Sequence, residues 1–182
     1  MMRPILVGER IYLRLITPDD FERSMDWLND QDLTRWMQKP YPQTLESMES
    51  YYKSMQNPNL YLAICLKEPD FEIFDNRTIE SESHIGNISL RDNSANKYYS
   101  EISIIIGEEQ GKGYGTEAIK LLTQYCFKKR NIHKVMAGAV SCNYGCIKAF
   151  QKAGYIQESC ELDGIFADGE YRNVVRMSIF KK

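Results

Sequence analysis

The chain has 182 residues, 43% of them hydrophobic, with a formal net charge of −2 and a pI near 5.8. That length and apolar content suit a single domain with a substantial core spanning residues 1–182, and the slightly acidic balance offers no electrostatic footprint for nucleic acid or an anionic membrane. No apolar run approaches the roughly 18 residues of a spanning helix, and the first residues lack a signal-peptide core, so a soluble cytoplasmic protein is expected.

Residues 11–15, Ile-Tyr-Leu-Arg-Leu, read as a half-buried strand. Thr17-Pro18-Asp19-Asp20 follows as a helix opening, with Pro early and acids in the first turn. Phe21, Met25, Trp27 and Leu28 give that helix an apolar side, and Asn29-Asp30 closes it before a short turn over residues 33–37. Thr44 caps a second helix running to about Met55, with Leu45, Met48, Tyr51, Tyr52 and Met55 at three- and four-residue spacing.

Residues 60–66 form a compact apolar run bounded by Pro58-Asn59 and Lys67-Glu68-Pro69, which predicts a strand. The segment 67–83 carries six acids against two basic residues and reads as a long surface loop, with Phe71, Ile73 and Phe74 suited to folding back over the body. Residues 84–90 and 99–106 are strands that the turn-rich stretch 92–96 joins into a hairpin.

The glycine-rich stretch Gln110-Gly111-Lys112-Gly113-Tyr114-Gly115-Thr116 follows the second of these strands. It opens a helix with Ala118, Leu121, Leu122 and Tyr125 on one side, ending near Lys128–Asn131. A strand, a glycine turn and a helix start make an anion site: glycines let backbone amides converge, and the helix N-terminus adds partial positive charge. Residues 134–140 read as a strand, 146–152 as a helix, 154–162 as a strand, and 172–180 as a last strand reached through Asp168-Gly169. The order predicts an α/β domain with a mixed, mostly antiparallel seven-stranded sheet and helices on both faces.

Spacing restricts the phosphate ligand. A dinucleotide fingerprint needs Gly or Ala three residues after Gly113, where Thr116 stands. A Walker loop needs four residues between its glycines and Ser or Thr after Lys, whereas Gly107 to Gly111 encloses three and Gly113 follows Lys112. The five cysteines are odd in number, show no Cys-x-x-Cys pair and have two histidines, His84 and His133, beside them, which predicts reduced thiols and no metal.

Gln110-Gly-Lys-Gly113-Tyr-Gly115 resembles the Gln/Arg-x-x-Gly-x-Gly/Ala pyrophosphate loop of the GNAT N-acetyltransferase superfamily. Asn143-Tyr-Gly-Cys146-Ile-Lys-Ala-Phe150-Gln-Lys-Ala-Gly154-Tyr155 is similar to the later motif of that superfamily. With Glu9-Arg10-Ile-Tyr-Leu-Arg14-Leu at the front and Ile85-Gly86-Asn87-Ile88 before the central strand, the resemblance covers nearly the whole chain. It points to the branch of ribosomal-protein and amino-sugar N-acetyltransferases.

The resemblance implies acetyl-CoA as cosubstrate, with no metal. Its pyrophosphate would meet amides of Gly111, Gly113 and Gly115 and the Thr116 hydroxyl, with Gln110 opening the loop, and its pantetheine arm would pair with free backbone groups at Ile104 and Ile106. Glu101 stands where relatives place a carboxylate facing the reaction centre, and an amine protonated near neutral pH needs such a base before it can attack a thioester. Asn143 can both cap its helix and hydrogen-bond the pantetheine or the acceptor, with capping alone as the alternative. Cys146 stands where relatives carry Ser or Ala, and it either protonates the departing thiolate or packs beneath the cosubstrate. Phe150 replaces the tyrosine acid of many members and has no proton to give.

Trp27, Trp36 and Tyr41 are expected as wall for the acceptor. That acceptor is expected to be a small-molecule amine, a nucleotide-linked amino sugar first, with direct transfer and no acetyl-enzyme. A polyamine, a protein N-terminus or lysine, and a non-catalytic acyl-CoA binding module are the alternatives, and the chain is expected to be a monomer or homodimer.

Overall fold

A computed structural model describes residues 3–37, 41–55, 58–67, 84–92, 98–167 and 169–182. One eight-stranded sheet runs through it in the order β1-β2-β3-β4-β5-β6-β8-β7. The strands are β1 (Leu6–Val7), β2 (Ile11–Leu15), β3 (Leu60–Leu66), β4 (His84–Asp92), β5 (Tyr99–Ile106), β6 (Lys134–Val140), β7 (Ile156–Ala167) and β8 (Glu170–Phe180). Every neighbouring pair is antiparallel except β5 with β6. The mixed α/β architecture expected from the sequence is therefore present, with one strand more than the seven expected. The added β1 is two residues long, too short for any alternation to register, and exists because it pairs with Tyr12 and Leu13 of β2.

The continuous apolar run of β3 marks a strand covered on both sides; β2, read as half-buried, is covered on both sides as well, because its Arg14 is buried against Asp20, and both strands are buried almost throughout. One side of the sheet packs on α4 (Tyr114–Lys129) and α5 (Tyr144–Lys152), whose Ala118, Ile119, Leu122 and Phe150 join Ile11, Leu13, Leu62, Ile64, Ile88, Ile102, Val135 and Met177 in the main core. The other side carries α1 (Phe21–Asn29) and α3 (Leu45–Ser54), tied down by ring contacts of Tyr51 with Tyr61 and by Asn87 Nδ2 donating to Ser24 Oγ at 2.9 Å. A four-residue helix, α2 (Gln31–Thr34), occupies ground read as a turn, because the Asp30 side chain accepts from the amides of Asp32 and Leu33 and so caps it.

Other boundaries moved for local reasons. Pro18–Asp20 forms a 3-10 turn before α1 begins at Phe21, and the Asp20 side chain is turned back to Arg14. Helix α5 starts at Tyr144 rather than Cys146, because the Asn143 side chain accepts from the Cys146 amide at 3.1 Å. The following strand starts at Ile156 rather than Gly154. Gly154 takes φ +98°, with its amide bonded to the Gln151 carbonyl and the Tyr155 amide to that of Phe150, a Schellman closure of α5. Strand β7 then continues to Ala167 through two register shifts. The acidic segment read as a loop lies, beyond Lys67, outside the described residues, as do residues 93–97 of the β4–β5 connection and Asp168. No helix among the described residues is long and apolar enough to cross a membrane.

Candidate active site

The parallel pairing of β5 with β6 is short. It joins Tyr99 to Lys134, Ser100 to Val135 and Glu101 to Met136, and then stops. Beyond Met136, strand β6 pairs only with β8, so among the described residues Ile102–Ile106 have a strand partner on the β4 side alone. The sheet opens into a fork, and Glu101 is the last paired residue of β5. A strand edge left open in this way presents unpaired amide and carbonyl groups to whatever enters.

The glycine loop closes one end of the fork. Gly111 and Gly113 have φ of +78° and +88°, a backbone region that a side chain strains, and a Cβ on Gly111 would meet nothing within 4 Å. Gly113 is the N-cap of α4 and no side chain caps that first turn. Gly115 faces the side chains of Ile104 and Ile106, where a Cβ would make ordinary contact at 3.4 Å or more. A cavity of about 520 Å³ runs along this junction. Its lining brings together Ile104, Ile106, Gln110, Gly111, Gly113, Gly115, Thr116, Asn143 and Cys146. These come from β5, the loop, α4 and α5, more than forty positions apart at the extremes. Exposed turns, an uncapped helix start and an open strand edge around one cavity fit a pyrophosphate joined to an amide-rich arm, the two features of coenzyme A.

Several side chains already have local partners. Gln110 Nε2 donates to the Ile106 carbonyl at 2.9 Å, bracing the loop on the strand end, and Lys112 is ion-paired with Glu109. Burial pushes the Cys146 thiol up to about 11, so it keeps its proton at neutral pH. Phe150 is buried and packs edge-on against Tyr155 at 5.0 Å. Tyr155 shares a 2.8 Å hydrogen bond with Thr123 inside the core, and Tyr144 and Tyr171 are exposed and absent from the cavity lining.

The expected acceptor wall is brought together only in part. Trp36 lines the cavity with Asp32, Leu33 and Met37, and the Arg172 guanidinium lies 5.7 Å from its ring. Trp27 is 6% exposed and sits under Gly107, where a Cβ would fall 2.1 Å from the indole, with the His84 ring 4.9 Å away. Tyr41 is 78% exposed and does not line the cavity. Sequence reasoning also missed Arg176, whose Nη1 lies 3.5 Å from Glu101 Oε1. No local signal marks it, because the two residues stand on strands separated by a third. Among the described residues no group of three His, Cys, Asp or Glu could hold a metal ion.

The sequence pattern of the acetyltransferase (GNAT) domain family matches residues 10–156, and the chain belongs to that family. Acetyl-CoA is the family's acyl donor. The chain is similar to the spermidine N(1)-acetyltransferase of Escherichia coli (strain K12), 37% identical over 83 residues, a match that spans 45% of this chain and 45% of that enzyme. Similarity to the Vibrio cholerae spermidine N(1)-acetyltransferase is 25% over 177 residues, covering 96% of this chain and 95% of the relative. The fold is shared with the crystal structure of spermidine N-acetyltransferase from Vibrio cholerae in complex with CoA and spermine, with a TM-score of 0.80 at 21% identity over 96% and 97% of the two chains.

Proposed function

We propose that residues 1–182 form one catalytic domain that transfers the acetyl group of acetyl-CoA to a primary amine of a polyamine. The observation that carries the transfer chemistry is the fork: β5 parts from β6 directly after Glu101, which itself stands outside the cavity lining, and the open edge from Ile104 to Ile106 lines the cavity together with the glycine loop. Gly111, Gly113, Gly115 and Thr116 hold the pyrophosphate, and the backbone of Ile104 and Ile106 aligns the pantetheine arm. Acetyl-CoA supplies the activated acyl group. A polyamine nitrogen is an ammonium near neutral pH and cannot attack until a base removes its proton. Glu101, half-exposed at the fork, takes that proton directly or through a water. Cys146 lines the cavity as a protonated thiol packed beneath the departing sulfur; burial makes it a weaker acid than an ordinary thiol and Phe150 has no proton to give, so the departing thiolate takes its proton from solvent. Asn143 fixes the start of α5 and with it the position of Cys146.

The acceptor expected from sequence, a nucleotide-linked amino sugar, gives way here to the polyamine alternative. Two relatives named for spermidine acetylation support it, one of them along almost the whole chain. The aromatic wall behind the sugar expectation is also reduced to Trp36. Direct transfer is testable by intact mass: acetyl-CoA alone should leave the protein mass unchanged, and varying both substrates should give intersecting initial-rate plots. Stoichiometric acetylation of Cys146 that chases to spermidine would replace direct attack by a covalent route.

A further inference from the structure

Arg10 belongs to the front motif of the sequence, yet it lies outside the cavity lining and has no part in the chemistry above. It projects from the turn between β1 and β2 onto the glycine loop at Lys112, which like Arg10 is absent from the cavity lining while Gly111 and Gly113 on either side of it are present. Its Nη1 donates to the Lys112 carbonyl at 3.0 Å and its Nε to Glu117 Oε2 at 3.0 Å. Its own amide donates to Glu117 Oε1 at 2.9 Å, and the guanidinium lies 4.8 Å from the centre of the Tyr114 ring. Gly8 leaves room for this arrangement, since a Cβ there would fall 2.5 Å from Glu117 Oε1. One arginine is thus fastened to Lys112, Tyr114 and Glu117 across the loop-to-helix junction, and the Glu117 side chain that anchors it is only 16% exposed.

Peptide geometry gives the contact its consequence. The Lys112–Gly113 peptide unit is planar and trans, so its N–H points opposite to its C=O. We infer that Arg10, by holding the Lys112 carbonyl on the outer side, turns the Gly113 N–H inward to the pyrophosphate and is a positioning residue for the donor. With φ near +88° and no Cβ, Gly113 has no side chain of its own to select one orientation of that peptide, and the guanidinium supplies the selection. A charge-assisted hydrogen bond to the carbonyl also polarises the peptide and strengthens its N–H as a donor. This inference rests on the loop being the pyrophosphate site.

The test compares acetyl-CoA with S-acetylpantetheine, which keeps the thioester and the arm but lacks the pyrophosphate. Arg10→Gln should raise KM for acetyl-CoA about tenfold, the scale of one charge-assisted hydrogen bond, leave kcat within about twofold, and leave KM for S-acetylpantetheine unchanged. Glu117→Gln, which unfastens the guanidinium without removing it, should give the same donor-selective loss, and Arg10→Lys should recover part of the affinity. Equal losses with both donors, or no loss with either, would overturn the inference. Gly113→Val separates the two levels. If it leaves acetyl-CoA affinity unchanged in a folded protein, the loop reading itself falls; if it abolishes affinity while Arg10→Gln is silent, only the role of Arg10 falls.

Discussion

Glu101 of β5 and Arg176 of β8 form an ion pair at 3.5 Å although strand β6 runs between them. The gap is bridged over Gly138, the register partner of Arg176, where a Cβ would fall 2.8 Å from Nη1. A bare glycine lets the guanidinium lie flat across β6. Glu161 of β7 fixes its far side, accepting from Nε at 3.0 Å and standing 2.7 Å from Nη2. The closer contacts are therefore with Glu161, and Glu101 is steadied by a cation that is anchored elsewhere.

Gly138→Val should displace that guanidinium while suiting a strand backbone. We expect kcat to fall on the order of tenfold, within the range that small misplacements at a reacting centre produce, with KM for acetyl-CoA unchanged. Steady-state kinetics beside a thermal melt checks this, and a variant with wild-type kcat would detach Arg176 from the chemistry.

Trp27 and Trp36 should behave oppositely. Trp27 is buried beneath Gly107, so Trp27→Ala should cost about 3–5 kcal/mol of stability, and Gly107→Ala, which drives a methyl into the indole, about 1–3 kcal/mol. Trp36 lines the cavity and is only half-buried, so Trp36→Ala should raise KM with little change in the urea midpoint. Equal unfolding midpoints for the wild type and Trp27→Ala would contradict the placement of Trp27.

Acid should loosen the sheet through Asp20. Burial alone would push its carboxyl up, but hydrogen bonds from Arg14, His84 and the Thr17 amide outweigh that and hold it well below the usual carboxylate range. Arg14 clamps both oxygens, at 2.7 and 2.6 Å. A carboxyl with a depressed folded pKa contributes stability that is complete above its unfolded value, near pH 4, and drains as pH falls toward the folded value. Resistance to urea should therefore fall steadily below about pH 4. Asp20→Asn should lose about 3–5 kcal/mol at pH 7, because it strands a buried guanidinium, and should flatten the acid limb. An unchanged acid limb in that variant would place the titration elsewhere.

Local patterns carried most of the fold, and they named residues that the folded chain gathers around one cavity. The glycine spacing from Gly111 to Gly115, the capping Asn143 and the Ile run of β5 each announce a backbone conformation within a few residues, and the cavity gathers all of them. Partnerships across strands were not legible. Nothing near Gly138 or Arg176 reveals that β8 lies beside β6, and nothing near Trp27 reveals the vacancy above Gly107 that draws the indole inward. Tyr41 looked like pocket wall because aromatic character says nothing about which way an isolated loop residue faces, and it stands in solvent. Clamping of the glycine loop by Arg10 spans more than a hundred positions and was likewise invisible until the chain was folded.

Acetyl transfer to a polyamine amine at the fork, with Glu101 as base, makes the product and its rate the quantities to measure. The most direct test supplies limiting acetyl-CoA to a mixture of spermidine, a nucleotide-linked amino sugar and a lysine-bearing peptide, and identifies the acetylated product by mass spectrometry for the wild type and Glu101→Gln. Monoacetylspermidine should dominate, and Glu101→Gln should slow its formation by about 10²–10⁴-fold, the span of general-base catalysis, without altering affinity for acetyl-CoA. Acetyl label on the sugar or the peptide with spermidine untouched, or a Glu101→Gln rate equal to that of the wild type, would contradict it.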